Sequence, residues 1–554
     1  MPRVQLDDEI MNLRFVFLFL LLTLPSCASK PAIFLDGMGD HSRVVSTDSE
    51  LAQEYFNQGL TLSYGFMHDE AIRSFSEAAS LDPSCAMHYW GIAYALGPNI
   101  NSPLSKANGL RAKSAMEYAL RLAVRATPVE RDLIEALDTR YEFPFRKKRK
   151  DLDRAYAAAM KEVWAKYPND PDVGFLYADA LINISPWDQW TPDFEPKENT
   201  LDAIAALERV LKLDESHPGA NHFYIHVMEA SAQPERAEAV ADRLASLVPG
   251  LGHLVHMPSH IYIQTGRFHD SMLCNKKASD LDREYFAKTG DQGGYHFYHA
   301  HNNHFRVWAA MYQGAYESAL AACQQTLIDL PESMQGIPAA AEWLVMDLHV
   351  HLRFGEWEKV LERESPREDQ PYAVALWRYA RGMAFANTQR IELARKEVIV
   401  FEEIAMTMQA NPDVDRDQPA DVLRIAREMV HGEIEYHAGN FELGFKHLRA
   451  AVAAEDALRY SEPSPWMMPT RHALAALLLE RGKVKQAEEN YRRDLREHPG
   501  NGWSLFGLAS CLEKQGRMAE AGETRRKFEL AWANATVEIK ASCFCAGKNE
   551  TPER

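Results

Sequence analysis

Gly482, Ala487, Tyr491 and Pro499 are followed by Gly516 and Ala521, which stand 34 residues beyond Gly482 and Ala487. Such a recurrence constrains the fold strongly, because each copy is one supersecondary unit that buries its apolar face only against its neighbours. The same order of residues appears near the other end, where Gly59, Ala71, Phe75, Ala78 and Pro83 fall between Leu51 and Pro83. Small residues at 59 and 71 let two antiparallel helices approach, Phe75 fills the wedge to the next pair, and Pro83 ends the second helix. Between these ends Gly266, Gly314, Gly355, Gly439 and Gly482 mark turns, with second helices expected to open near Ser271, Ala319, Val360, Gly444 and Ala487. No alternating strand pattern accompanies them, so the expectation is an all-α chain of stacked helix pairs, an α-α superhelix with negligible strand.

This grammar resembles the tetratricopeptide repeat. Residues 1–27 are then an export signal, 28–50 a linker, 51–217 N-terminal repeats, 218–330 central repeats, 331–535 C-terminal repeats and 536–554 a polar tail. Two interruptions combine proline with tryptophan, Pro186-Trp187-Asp188-Gln189-Trp190-Thr191-Pro192 and Ser461-Glu462-Pro463-Ser464-Pro465-Trp466. Each is either a lid over a ligand or a plug between neighbouring pairs.

Charge narrows the partners. Sixty-one Lys and Arg against 79 Asp and Glu leave a net charge of −18, which opposes sequence-independent binding of nucleic acid or anionic lipid. The apolar run Phe15 to Leu22 after Arg14 is short for a membrane span and reads as a targeting segment. Leu24-Pro25-Ser26-Cys27 resembles a bacterial lipobox, which implies export, a lipid on Cys27 as the membrane anchor, and a periplasmic or cell-surface location if the host is bacterial. Ordinary cleavage after Ala28 is the alternative. The seven cysteines lack paired Cys-x2-Cys spacing, and Cys543 and Cys545 are either unrelated thiols or a pair.

The chemical signal is histidine. Of 21 histidines, 11 fall within the 88 residues from His217 to His304, where an even spread would place about three. His222, His226 and Glu229 are separated by four and three residues on a helix opening at Pro218; His253, His256 and His260 by three and four on one opening near Gly252. His301 and His304 follow on one opening near Ala300, with His296 and His299 in the loop before it. Such spacings project from one stripe of a helix. Met257-Pro258 is expected to break or kink the second of these helices.

In tetratricopeptide proteins the corresponding places line the concave groove, so the resemblance implies convergence there; taking Pro218 as a terminator instead leaves His222 and Glu229 in the groove. Asn221-His222-Phe223-Tyr224-Ile225-His226, His253-Leu254-Val255-His256-Met257-Pro258-Ser259-His260-Ile261-Tyr262 and Asn501-Gly502-Trp503-Ser504 further resemble an uncharacterised bacterial family of such proteins, which carries no reaction with it.

Neutral imidazole is the commonest ligand of divalent transition metals such as zinc, copper or iron. Eight candidate ligands, His222, His226, Glu229, His253, His256, His260, His301 and His304, exceed one mononuclear site, so a dinuclear centre, or one ion plus histidines that contact substrate, fits their number, with Glu229 as ligand or general base. Enzyme or not, the first reading is a metal-binding groove that takes a small molecule. The second is a metal-free groove for an extended peptide. There is no Gly-x-Ser-x-Gly, phosphate-binding glycine loop or His-Glu-x2-His.

Overall fold

The computed structural model describes residues 32–290, 293–337, 340–410 and 418–546. Helices succeed one another as antiparallel pairs: Glu50–Tyr64 with His68–Leu81, Pro171–Ile182 with Thr200–Leu213, Thr470–Glu480 with Val484–Glu497, and Gly502–Lys514 with Met518–Ala531. Among the described residues there is no strand, only isolated bridges joining Asn99 to Ser102 and Trp190 to Pro196. The chain is an all-α superhelix of stacked antiparallel helix pairs.

Phe75 performs the role its position implied. Its ring is fully buried between Gly59 and Gly91, where an added Cβ would meet the ring at 2.8 and 2.5 Å respectively. The turn glycines at 266, 314, 355, 439, 482 and 516 all have positive φ, the left-handed conformation that closes a helix with least strain in glycine. Second helices open one turn earlier than their small residues suggest: Phe268 rather than Ser271, Tyr316 rather than Ala319, Trp357 rather than Val360, Phe441 rather than Gly444, and Val484 rather than Ala487. The small residue marks where two helices cross, not where the second begins. At Gly444 an added Cβ would lie 2.9 Å from the Gly432 oxygen and from the Tyr436 nitrogen.

Three consecutive first helices carry the central histidines. Pro218–Met228 starts at proline, with His217 as N-cap accepting from the Ala220 amide at 3.1 Å through Nδ1. The next is divided into Gly252–His256 and Pro258–Gln264, and Pro258 occupies a first-turn position where its missing N–H costs little. The third, Tyr295–Gln313, begins before Ala300, so His296 and His299 lie on the helix and not in the preceding loop.

The superhelix turns tightly enough for distant pairs to meet. One apolar core runs from Val45 to Tyr262, and Leu251 and Leu254 fill the space beside Gly65. The Tyr285 hydroxyl donates to Glu70 at 2.9 Å, 215 residues away. Farther along, the Trp503 indole donates to the Met311 carbonyl at 3.0 Å, and Gly266 packs against Pro499. Residues 537–546 fold back on the last helices, with Ser542 buried beneath Tyr491 and Cys543 joined to Cys545 by a disulfide. Among the described residues no helix is long and apolar enough to cross a membrane. The targeting segment and Cys27 lie outside the described residues.

Phe75→Ala is expected to cost about 3–5 kcal/mol of stability. A fall in the thermal unfolding midpoint, followed by circular dichroism, checks it; an unchanged midpoint would deny the wedge its role.

Candidate metal centre

Six histidines from the three first helices form two groups of three. His222, His226 and His253 make one, His256, His260 and His301 the other, and within each group the candidate ligand atoms lie within 4.8 Å of one another. Each group takes two histidines four residues apart on one helix and a third from the next first helix. His253 and His256, three apart on one helix, serve different groups. A four-residue step advances about 40° round the helix and a three-residue step retreats about 60°, so the two steps lean to opposite sides.

The nitrogens face one another. His222 Nε2 lies 3.0 Å from His226 Nε2 and 3.2 Å from His253 Nε2; His256 Nε2 lies 2.9 Å from His260 Nε2. Two donors about 2.0–2.1 Å from one ion, at octahedral or tetrahedral angles, are about 2.9–3.4 Å apart. The rings closest across the two groups, His226 with His260 and His253 with His256, have centroids 5.8 Å apart.

The other ring nitrogen settles the tautomers. His222 Nδ1 donates to the Tyr64 carbonyl at 2.6 Å, and His226 Nδ1 to Glu229 Oε1 at 3.0 Å. His256 Nδ1 donates to Asn275 Oδ1 at 2.6 Å, an amide oriented by its own bond to the Ser271 carbonyl at 2.7 Å. His260 Nδ1 donates to Glu229 Oε2 and, at 3.0 Å, reaches Glu462 Oε2. With Nδ1 protonated, the neutral ring presents an Nε2 lone pair. In the His222–His226 pair two such lone pairs confront each other across 3.0 Å.

Glu229 therefore stands behind the rings. Both its oxygens are taken, one by each group, and it links His226 to His260. This is the carboxylate–histidine arrangement that orients metal ligands. His304 joins neither group: its Nε2 is 3.7 Å from Glu342 Oε1, and burial together with His349 holds its imidazole down at about 3.

Burial dominates the electrostatics. It holds the imidazoles of His222, His253, His256 and His301 well below their ordinary value, with neighbouring rings acting in the same sense. His260 is the exception: burial opposes its charge, but Glu229 and Glu462 outweigh burial and raise it. Glu229 is lowered, burial being overcome by His260 and His226.

Phe66 and Phe305 complete the surroundings. The Phe66 ring lies 4.6, 5.8 and 5.3 Å from His222, His226 and His253, and the Phe305 ring 4.9, 4.5 and 5.0 Å from His256, His260 and His301. His226, His253, His260 and His301 also line a cavity of about 740 Å³. Trp187 stands at that cavity, with its ring 5.5 Å from His226, while Trp190 plugs the structure by donating to the Val227 carbonyl at 2.7 Å. In the other interruption Trp466 is buried against Tyr379 and His349, whereas Glu462 reaches the cavity. Phe66, Tyr64 and Glu462 carried no local signal in the sequence, because they lie 156, 158 and 202 residues from His222, His222 and His260 respectively.

Three other groups have the composition of a metal site: Glu229, His260 and Glu462, which meet at His260 Nδ1, and two whose setting does not suit an ion. His41 and His217 both meet Asp172 Oδ1 at 3.2 Å, but Arg43 lies 3.2 Å from the other oxygen and supplies the cation. Cys543 and Cys545, near Glu433, spend their sulfurs on each other.

No protein-family model matches this chain, and no curated protein does. Solved structures of helical-repeat proteins do. A human IFIT1 dimer with PPP-AAAA is 13% identical, covering 86% of this chain and 89% of that one, at a TM-score of 0.32. Yeast Tom70 is 10% identical over 87% of this chain and 93% of its own, at 0.30. The APC/C Cut9–Hcn1 hetero-tetramer is 11% identical over 88% and 75%, at 0.27. At these scores the ligands and partners of those proteins bear on nothing here, and the fold rests on the helix pairs themselves.

Proposed function

We propose that this solenoid binds two divalent transition-metal ions side by side, one in each histidine triad, and presents them to a small molecule in the adjoining cavity. The observation that carries this is the pair of lone pairs at His222 and His226. Two buried acceptors at hydrogen-bond distance repel unless a proton or a cation lies between them, and burial disfavours the proton. His256, His260 and His301 repeat the grouping of three imidazoles one helix pair later, although there Glu229 and Glu462 favour the proton on His260. Each ion would have three imidazoles and an open position facing the cavity, the pattern of a catalytic centre and not of a closed structural one.

A cavity of about 740 Å³ is the size of a small-molecule site. The peptide reading finds less support, since Phe66, from the turn between the first two helices, and Glu462 already occupy the groove beside the histidines. Glu229 is a positioning residue in this proposal, neither ligand nor general base, because no oxygen of it is free.

Metal-free protein titrated with zinc or copper is expected to take up two ions per chain. The double variant His256→Ala/His260→Ala should retain one, with helicity unchanged by circular dichroism. Uptake of no ions above background by the wild type would sink the proposal. Glu229→Gln should keep two sites while weakening both about 10–100-fold, because it orients a ligand in each; weakening confined to one triad would show the link to be idle.

Export with a lipid on Cys27 is also proposed, from the apolar run before it, and the Cys543–Cys545 disulfide suits an oxidising compartment. Cys27→Ser should move the protein from the membrane fraction to the soluble one. Unchanged fractionation would leave simple cleavage or a retained anchor.

A further inference from the structure

The two triads share a feature that narrows both the metal and the chemistry: their candidate ligand atoms are all imidazole nitrogens. Glu229 is spent on His226 and His260, and Glu462 on His260 through Oε2 and on Gln264 and Tyr460 through Oε1. These carboxylates gather at His260 Nδ1, on the far side of the ring from the Nε2 that faces His256. The triads themselves offer imidazole nitrogen and not the hard oxygen donors that suit magnesium, calcium and manganese; the group that has such donors, Glu229, His260 and Glu462, meets at the other nitrogen of His260. Imidazole nitrogen suits copper, which also binds most tightly among the first-row divalent ions.

Charge points the same way. The rings hydrogen-bond to two carboxylates, Glu229 and Glu462, and both lie almost wholly out of solvent. A metal that passes between divalent and monovalent states fits this balance, because two carboxylates offset a monovalent pair and a divalent pair needs further negative charge from a bound ligand. Copper is the first-row metal of biology with a stable monovalent state, and a pair of cuprous ions holds the two electrons that reduce dioxygen to the peroxide level. Phe66 and Phe305, one over each triad, surround the pair with apolar groups that further favour the lower charge.

The cavity speaks to the second substrate. Its walls include Phe66, Trp187, Tyr298 and Trp343, with uncharged Asn99 and Asn101 beside them. Among the described residues lining it there is no lysine or arginine, while Asp69 and Glu70 are present. The described walls hold no lysine or arginine to seat an anion, and Glu70 is already paired with Arg73; a flat neutral ring has faces to stack on and amides to meet its hydroxyls.

Resting on the two-ion reading, we infer that the triads hold a copper pair that binds dioxygen and oxidises an uncharged phenol of the catechol class. The balance is two catechols and one dioxygen giving two ortho-quinones and two waters. Each catechol loses two electrons and two protons, the O–O bond breaks, and four O–H bonds form.

The test uses the full chain loaded with two cuprous ions without air. On admitting oxygen, the protein should take up one dioxygen per two coppers and develop a near-ultraviolet charge-transfer band. With catechol present it should then consume one dioxygen per two quinones formed. The variant His256→Ala/His260→Ala, holding one copper, should lose at least about 100-fold in oxygen consumption, since a single ion supplies half the electrons. Trp187→Ala should raise KM for catechol about tenfold while changing kcat little. Failure to bind copper overturns the two-ion reading and this inference with it. Two bound coppers without oxygen uptake, or equal uptake by the one-copper variant, overturns the inference alone. Preferential oxidation of a carboxylated catechol over catechol overturns the assigned substrate class.

Discussion

The close stacking of one first helix on the next is the constraint from which the rest follows. It depends on small residues at crossings and on rings such as Phe75 between them. Stacking of this kind gives successive inner faces nearly the same orientation, so a residue type repeated at the same helical place is delivered repeatedly to one side. Two histidines four apart then meet a third from the neighbouring helix, and the next helix repeats the construction. The two triads are one device built twice in consecutive repeats.

Between them lies Glu229. A carboxylate this deeply buried is costly unless its lone pairs are satisfied, and here each oxygen receives an imidazole N–H, one per triad. The same bonds hold the Nε2 atoms of His226 and His260 toward the centre. Removing the charge would disturb both triads, although the residue touches neither proposed ion.

Much of this was legible in the sequence, and the failures have physical causes. The helix pairs followed from Gly59, Ala71 and Phe75 because close packing demands those sizes, while helix starts were misjudged by a turn because the small residue reports a crossing. The concentration of histidine on three first helices was plain. Their division into two sets was not, since a three-residue step and a four-residue step both read as one face until helix packing separates His253 from His256 and turns His304 toward Glu342. Glu462 and Phe66 were out of reach for another reason: their proximity depends on the superhelical turn, which no local pattern encodes. Glu462 stood in a loop already notable for its prolines and tryptophan, yet that tryptophan went into the core and its acidic neighbour went to the cavity.

Tyr64, in the first helix, holds His222 through its carbonyl, and Glu462, in the second proline–tryptophan interruption, holds His260. An ordinary solenoid is a stack of coins, in which each repeat answers only to its neighbours and the array lengthens or shortens by whole units. Here the early turns and the late ones clasp the same few side chains, and that freedom is gone. Insertion of one repeat between Tyr64 and His222 would shift the clasp by a full helix pair. The number of repeats is therefore part of the site, as much as any histidine in it.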